Sequence, residues 1–251
     1  MDLGLHDRVY LLTGAGRGLG RATADVLVAE GARVVVSGRD AATLERAARE
    51  LGDRCLPVVA DNSDPDAADR LVAAAQEQWG RLDGALVSVG GPPPGAVMAT
   101  SDEEWARSFQ TVFLGGLRIA RAVAGSLGAG GSIAFVLSSS VRAPLADLAI
   151  SNGLRPGLAM VAKTLADELG PRGIRVNGLM PGRVETERVR ELDAATGDAE
   201  AARARSLRSI PLGRYGEPEE FGRVAAFLLS PASSFVSGAM VPVDGGMLRA
   251  L

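Results

Sequence analysis

The stretch Thr13–Gly20, TGAGRGLG, decides how this chain folds. It follows a short apolar run that begins at Arg8, and it opens an amphipathic stretch that begins at Leu19. Glycines at this spacing let the backbone turn sharply and approach a diphosphate, which then lies against the N–H groups of a helix N-terminus. The sequence therefore predicts a strand, a phosphate-binding turn and a helix, in that order.

Outward from this stretch, short apolar runs alternate with longer amphipathic ones. The predicted strands are 8–13, 32–37, 55–60, 84–89, 132–137, 174–179 and 239–243, and the predicted helices are 19–30, 41–51, 65–79, 102–113, 116–127, 148–169 and 218–229. This alternation predicts one α/β domain, with a parallel sheet covered by helices on both faces. Segment 183–209 is polar and rich in Ala, Arg and Glu, and we expect it to be a mobile substrate lid.

Composition excludes several classes of function. The 251 residues include 27 basic and 30 acidic side chains, so no positive surplus favours nucleic acid as a partner. A single cysteine and a single histidine exclude an internal disulfide and a His- or Cys-rich metal site. No apolar run reaches the ~18 residues of a membrane span, and the first twenty residues lack the pattern of a signal peptide. We therefore expect a cytoplasmic protein with no metal and no membrane contact.

The turn motif Thr-Gly-x-x-x-Gly-x-Gly resembles that of the short-chain dehydrogenase/reductase family, and the resemblance continues over nearly the whole chain. Its other segments are Asn177–Thr186 (NGLMPGRVET), Pro211–Glu220 (PLGRYGEPEE) and Ser237–Gly246 (SGAMVPVDGG). The resemblance implies a doubly wound (Rossmann) fold with a seven-stranded parallel sheet. It also implies a nicotinamide cofactor, a small carbonyl or hydroxyl substrate similar to a 3-oxoacyl group, and a homotetramer or homodimer.

The resemblance also implies which residues bind the cofactor. Asp61 matches a family aspartate that contacts adenine, Pro181 and Gly182 would line the nicotinamide, and Thr186 would contact its carboxamide or the diphosphate. The full predicted set is Gly14, Gly16, Arg17, Gly18, Leu19, Gly20, Arg39, Asp61, Asn62, Gly90, Arg155, Pro181, Gly182, Val184 and Thr186.

The end of the second predicted strand bears on the choice of cofactor. An NAD enzyme usually has an acidic residue there for the ribose 2′-hydroxyl, whereas an arginine accommodates a 2′-phosphate. This sequence reads Ser37-Gly38-Arg39, and Arg17 lies in the glycine turn. A guanidinium binds phosphate through charge-assisted, bidentate hydrogen bonds. We therefore expect NADP(H) rather than NAD(H), the alternative being that Arg39 is only a solvated surface charge.

The family's catalytic Tyr-x-x-x-Lys is absent from this chain. Of its two tyrosines, Tyr10 is followed four residues later by Gly14, and Tyr215 by Glu219. Counting from the flanking motifs implies Ser138 as the catalytic serine, with Ser139 as the neighbouring alternative. The same counting gives the family's other three positions: Ser151 for tyrosine, Arg155 for lysine and Val112 for asparagine.

This replacement leaves three functions open. A serine hydroxyl is a far weaker acid than a phenol, and an arginine charge is not tunable as that of lysine is. The chain is either an oxidoreductase with an atypical catalytic set, a non-redox cyclase, dehydratase or isomerase, or a nucleotide-binding protein without activity. Asp147 is the one nearby carboxylate that could act as an acid, and Arg142, Arg155 and Arg183 could converge on an anionic substrate. The alternative for these four residues is an ordinary structural or surface role.

Overall fold

The computed structural model describes residues 2–250. Its strands are β1 Val9–Leu12, β2 Arg33–Gly38, β3 Cys55–Val59, β4 Gly84–Val87, β5 Ser132–Val136, β6 Arg175–Pro181 and β7 Met240–Val243. They form one parallel sheet in the order β3-β2-β1-β4-β5-β6-β7. The order reverses between β1 and β4, which places a crevice at the carboxyl ends of these two strands, where doubly wound folds bind ligands. The predicted fold is confirmed.

Nine α-helices connect and cover the strands in the described part of the chain. They are α1 Gly18–Ala29, α2 Ala41–Leu51, α3 Ala67–Trp79, α4 Asp102–Ser108, α5 Gly115–Ser126, α6 Ala149–Leu169, α7 Glu187–Ala194, α8 Ala199–Ser209 and α9 Pro218–Leu229. The carboxylate of Asp40 accepts from the N–H of Thr43 and so caps α2, while Ser101 and Glu104 form a capping box on α4. None of the helices within residues 2–250 is long and apolar enough to cross a membrane.

The sheet separates two apolar cores. Helices α3, α5 and α6 bury residues such as Leu71, Ile119 and Leu158 against one face. Helices α1 and α9 bury Leu27 and Phe221 against the other face. Each large apolar side chain that is fully buried contributes about 1.5–3 kcal/mol. These two cores hold the carboxyl ends of the strands, and therefore the crevice, in a fixed geometry.

The amino end of the sheet is closed by a buried arginine. Arg175, the first residue of β6, donates to the carbonyl oxygens of Leu228 at 2.8 Å and Ser230 at 2.9 Å, and to the hydroxyl of Ser233 at 2.7 Å. The last carbonyls of a helix have no partner inside it, so these bonds complete the C-terminus of α9. Burial lowers the pKa of Arg175. No carboxylate in the described structure pairs with it.

The predicted lid, 183–209, contains two helices that the sequence patterns did not predict. The buried carboxylate of Asp193 in α7 accepts from the guanidinium of Arg183 at 3.0 Å and from the hydroxyl of Tyr215 at 2.9 Å. The guanidinium of Arg203 in α8 lies 4.2 Å from the centre of the Tyr215 ring. These contacts anchor the segment to the chain that precedes α9. Its mobility stays a prediction.

Candidate functional site

The turn between β1 and α1 packs as closely as only glycine permits. Gly14 and Gly18 have φ angles of +59° and +60°, in the left-handed region that favours glycine. A Cβ on Gly20 would come within 2.7 Å of the carbonyl oxygen of Gly14, and one on Gly16 within 2.9 Å of the Thr43 methyl carbon. Side chains at these positions would therefore push α1 and α2 away from the turn.

The start of α1 is prepared for an anion. Arg17 precedes the helix in an extended conformation, and its side chain makes no capping hydrogen bond. The first N–H groups of a helix lack partners within it, and a phosphate satisfies them. The glycine turn therefore fits the diphosphate of a dinucleotide, as the sequence predicts. In the structure the guanidinium of Arg17 lies 2.5 Å from the carboxylate of Glu187, which sequence reasoning did not single out.

The ends of β2 and β3 supply the side of the crevice where the adenosine would lie. Arg39 is exposed just beyond β2, and the acidic residue that follows it, Asp40, is engaged in capping α2. Asp61 accepts at 2.8 Å from both the backbone N–H and the hydroxyl of Ser63. The amide of Asn62 donates at 3.4 Å to the carbonyl of Ser88 and so joins the end of β3 to the chain after β4.

The chain that follows β6 passes close to the glycine turn. Gly182 donates to the carbonyl of Val243, and a Cβ on it would come within 2.6 Å of the Cβ of Asp244. Thr186 is buried, its hydroxyl caps α7 by accepting from the N–H of Val189, and its methyl carbon would lie 3.8 Å from a Cβ on Gly18. The structure thus brings two distant parts of the predicted cofactor set together. Pro181, the last residue of β6, and buried Val184 belong to the same connection.

The serines of the predicted catalytic set form a hydrogen-bonded group at the end of β5. The Ser138 hydroxyl accepts from the N–H of Ser140 at 3.1 Å. The Ser140 hydroxyl lies 3.1 Å from that of Ser151, and both side chains are buried. Ser140 was missed by sequence reasoning. The run Ser138-Ser139-Ser140 offered the only signal, and the structure has Ser138 as the N-cap of a 3-10 turn over Ser139–Val141.

Arg155 lies beneath this group and is 5% exposed. Its guanidinium donates to the carbonyl oxygen of Gly90, at 2.6 Å, and to that of Val136. Its Nε has no hydrogen-bond partner within residues 2–250. Burial lowers the pKa of Arg155 to about 10. Arg155 therefore joins the chain after β4 to the end of β5 and carries a charge that no carboxylate of the described structure pairs with.

The loop 90–95, GGPPPG, is held from three sides. Arg155 donates to the carbonyl of Gly90. Arg188 of α7 donates to the carbonyl of Pro92, at 2.6 Å. Gly95 exchanges backbone hydrogen bonds with the start of α6, donating to Asp147 and accepting from Ala149. Proline has no N–H, so Pro92 is held through its carbonyl, while Gly95 uses both its N–H and its carbonyl.

The side chains of the predicted residues Val112, Asp147 and Arg183 make no hydrogen bond to the serines at the end of β5 within residues 2–250. Val112 is buried in a π-helical turn, Phe109–Leu114, a distortion often found near functional sites. Asp147 is exposed and has a φ of +55°. Since Arg183 pairs with Asp193 and Arg155 with two carbonyls, the structure does not place these two arginines as a pair that faces an anionic substrate.

Comparison with known proteins gives a consistent picture. The sequence pattern of a family described as enoyl-(acyl carrier protein) reductase matches residues 14–248. The chain is 34% identical to an L-rhamnose 1-dehydrogenase (NAD(P)(+)) of Azotobacter vinelandii, over 97% of each protein. It superposes on the L-sorbose reductase of Gluconobacter frateurii, crystallised with NADPH and L-sorbose, with a TM-score of 0.94, 30% identity and full coverage of both chains.

A third relative carries the other nicotinamide cofactor. The 3-ketoacyl-(acyl-carrier-protein) reductase of Brucella melitensis, complexed with NADH, superposes with a TM-score of 0.86 and 33% identity over 97% of this chain and 99% of that one. The family pattern covers almost the whole chain, and each of these relatives is matched over nearly its full length. The fold, the glycine turn and these matches together show that the chain belongs to the short-chain dehydrogenase/reductase family of oxidoreductases.

Proposed function

We propose that this protein is an NADP(H)-dependent oxidoreductase acting on a small carbonyl or hydroxyl compound, with a 3-oxoacyl-like group as the substrate class. The observation that carries the cofactor preference is the end of β2, where Gly38 stands in place of an acidic residue and Arg39 is exposed. A carboxylate at that point would repel a 2′-phosphate, whereas a guanidinium binds it. One relative is crystallised with NADPH and another with NADH. The preference between the two cofactors is therefore inferred from the residues at the end of β2.

The bound nicotinamide would supply or accept a hydride, and the residues of this chain would orient the substrate. The hydroxyl of Ser138 at the end of β5, next to the Ser140–Ser151 pair, would hold the substrate oxygen. Arg155 would favour negative charge on that oxygen, since its own charge is buried and unpaired. It would not act as the proton donor. We therefore expect slow ketone reduction, because a general acid typically contributes 10²–10⁴-fold.

Removing the Arg39 charge tests the cofactor preference. We expect Arg39→Ala to weaken NADPH binding about tenfold or more while NADH binding changes little, since charge-assisted hydrogen bonds contribute about 1.5–3 kcal/mol. Arg49→Ala is the matched control, because Arg49 is an exposed arginine in the last turn of the adjacent helix α2. Calorimetric titration of both nucleotides into the three proteins measures the effect. Equal NADPH affinity in wild type and Arg39→Ala would refute the assignment.

A second candidate is a non-redox enzyme on the same scaffold, such as a cyclase, dehydratase or isomerase. The buried Ser140–Ser151 hydroxyl pair favours it, because this pair can orient a polar substrate without a strong proton donor. The two candidates differ in one readout. An oxidoreductase changes the absorbance of the nicotinamide as substrate is consumed, whereas a non-redox enzyme forms product with the nucleotide unchanged.

A further inference from the structure

The two arginines that bear on NADP recognition differ in how their charges are engaged. Arg39 is exposed and makes no ion pair within the part of the chain that the structure describes. The guanidinium of Arg17 is paired with the carboxylate of Glu187 at 2.5 Å. Both partners in this pair are more than half exposed, at 66% and 56% of their side chains. Solvent and solutes therefore reach the pair, and an anion can displace the carboxylate.

Glu187 belongs to the lid and lies next to the glycine turn. It is the first residue of α7 and follows Thr186, whose side chain lies against Gly18. The next residue, Arg188, donates to the carbonyl of Pro92 on the loop after β4. Two consecutive residues thus fasten α7 to both walls of the crevice. The Arg17–Glu187 pair connects the lid to the turn on which the dinucleotide phosphates would lie.

A 2′-phosphate and a carboxylate are both anions that accept hydrogen bonds from the guanidinium of Arg17. A phosphate monoester carries a charge of about −1.5 to −2 at neutral pH and has three strong acceptor oxygens, whereas a carboxylate carries −1. The same N–H groups of the Arg17 guanidinium cannot donate to both anions at once. NADPH gains a phosphate contact if Arg17 leaves Glu187. NADH has only a hydroxyl at that position and gains little from the exchange.

We propose that Glu187 is a specificity-determining residue that competes with the 2′-phosphate of NADP(H) for Arg17. This inference rests on the proposed function, because it requires that the dinucleotide binds at the glycine turn. In the wild-type protein the competition reduces the preference for NADPH over NADH. NADPH binding also removes one of the contacts between α7 and the walls of the crevice, so the phosphorylated cofactor loosens the lid where NADH leaves it in place.

The substitution Glu187→Gln tests this competition. It keeps the size of the side chain and removes its charge, so Arg17 becomes available to the phosphate. We expect the ratio of the NADH to the NADPH Kd to rise about two- to fivefold, the range for an exposed ion pair, and the gain to shrink at high ionic strength. Glu191→Gln is the matched control, because Glu191 lies in the same helix and its carboxylate is 3.6 Å from Arg188 rather than near Arg17.

The same substitution in an Arg17→Gln protein distinguishes this competition from general repulsion between Glu187 and the cofactor phosphates. In an Arg17→Gln protein, Glu187→Gln should leave the Kd ratio unchanged, since the contested guanidinium is gone. The inference is overturned if Glu187→Gln improves both nucleotides equally, leaves the ratio unchanged, or keeps its effect without Arg17. If the wild-type protein binds neither nucleotide, the proposed function fails. If it binds NADPH and the ratio does not respond, only the role of Glu187 fails.

Discussion

The two ends of the sheet each hold a buried arginine, and the two differ in how fully their donors are used. Arg175, at the amino end, is 6% exposed and donates to the last carbonyls of α9 and to Ser233. Arg155, at the carboxyl end, is 5% exposed and donates to the carbonyls of Gly90 and Val136, with Nε unpartnered among residues 2–250.

The difference lies in what each guanidinium leaves unused. At the amino end the guanidinium of Arg175 donates to carbonyls at the C-terminus of α9, so this arginine has a structural role. At the carboxyl end the guanidinium holds the loop after β4 and keeps an unused donor near the serines at the end of β5. A buried donor without an acceptor is costly, and such groups in native proteins are often strained or functional.

Introducing a tyrosine and a lysine at the proposed catalytic positions of the carboxyl end should produce the largest change. We expect Ser151→Tyr with Arg155→Lys to accelerate NADPH-dependent reduction of a small ketone about 10²–10⁴-fold, because a phenol is a far stronger acid than the serine hydroxyl. Steady-state rates measured by nicotinamide absorbance provide the readout. The control is Ser151→Phe with Arg155→Lys, which has the ring without the hydroxyl. Similar rates in both double variants would show that a missing proton donor is not what limits the wild-type chain.

Removing the arginine at the amino end should destabilise the fold strongly. Arg175→Met removes the charge-assisted hydrogen bonds to the carbonyls of Leu228 and Ser230, which keep only the neutral donors of Ser233, at about 1–2 kcal/mol for each. We expect the free energy of unfolding to fall by about 2–4 kcal/mol in urea denaturation. Arg223→Met provides the control, since Arg223 forms only an exposed pair with Glu219 and should cost less than about 1 kcal/mol. Equal losses in the two variants would refute the closing role of Arg175.

Removing the arginine at the carboxyl end should cost less stability. Arg155→Met removes two hydrogen bonds to carbonyls, whereas Arg175→Met removes four contacts, and the loss of a buried charge offsets part of the cost in both variants. We expect a loss of about 1–2 kcal/mol in unfolding free energy, together with faster hydrogen exchange of the backbone around Gly90. A loss as large as that of Arg175→Met, with exchange near Gly90 unchanged, would contradict the comparison.

The smallest expected effect concerns Cys55, a third titratable group that burial perturbs. Cys55 begins the edge strand β3 and is half-buried, whereas the sequence pattern predicted a buried strand. Burial raises the pKa of its thiol to about 11, so the reactive thiolate is scarce at pH 8. We expect alkylation by iodoacetamide to be slow in the folded protein and to accelerate as the pH rises towards 11. Alkylation at the rate of a free thiol at pH 8 would show that the group is unperturbed.

The fold could be predicted from the sequence because its signals are local and repeated. Alternating apolar and amphipathic runs located the seven strands and seven of the nine helices of the described chain. Helices α7 and α8 were missed because segment 183–209 lacks an apolar stripe. Their anchors lie in specific pairs such as Arg183–Asp193, which composition does not reveal.

The site could be predicted only where a motif defines a backbone position. The glycine turn and Thr186 meet in the structure as the motifs implied. The partners of charged side chains were not predictable, because Arg17–Glu187 and Arg188–Pro92 join residues 170 and 96 positions apart. Ser140 was also missed, since its pairing with Ser151 depends on where α6 packs against the end of β5.

Titration of NADPH into the unmodified protein tests the central claim most directly: the chain keeps a dinucleotide site while its proton-donating pair is replaced. We predict saturable binding of one NADPH per chain, tighter than that of NADH, in a protein that reduces small ketones only slowly. Absence of binding heat from both nucleotides, or rapid ketone reduction by the unmodified chain, would contradict it.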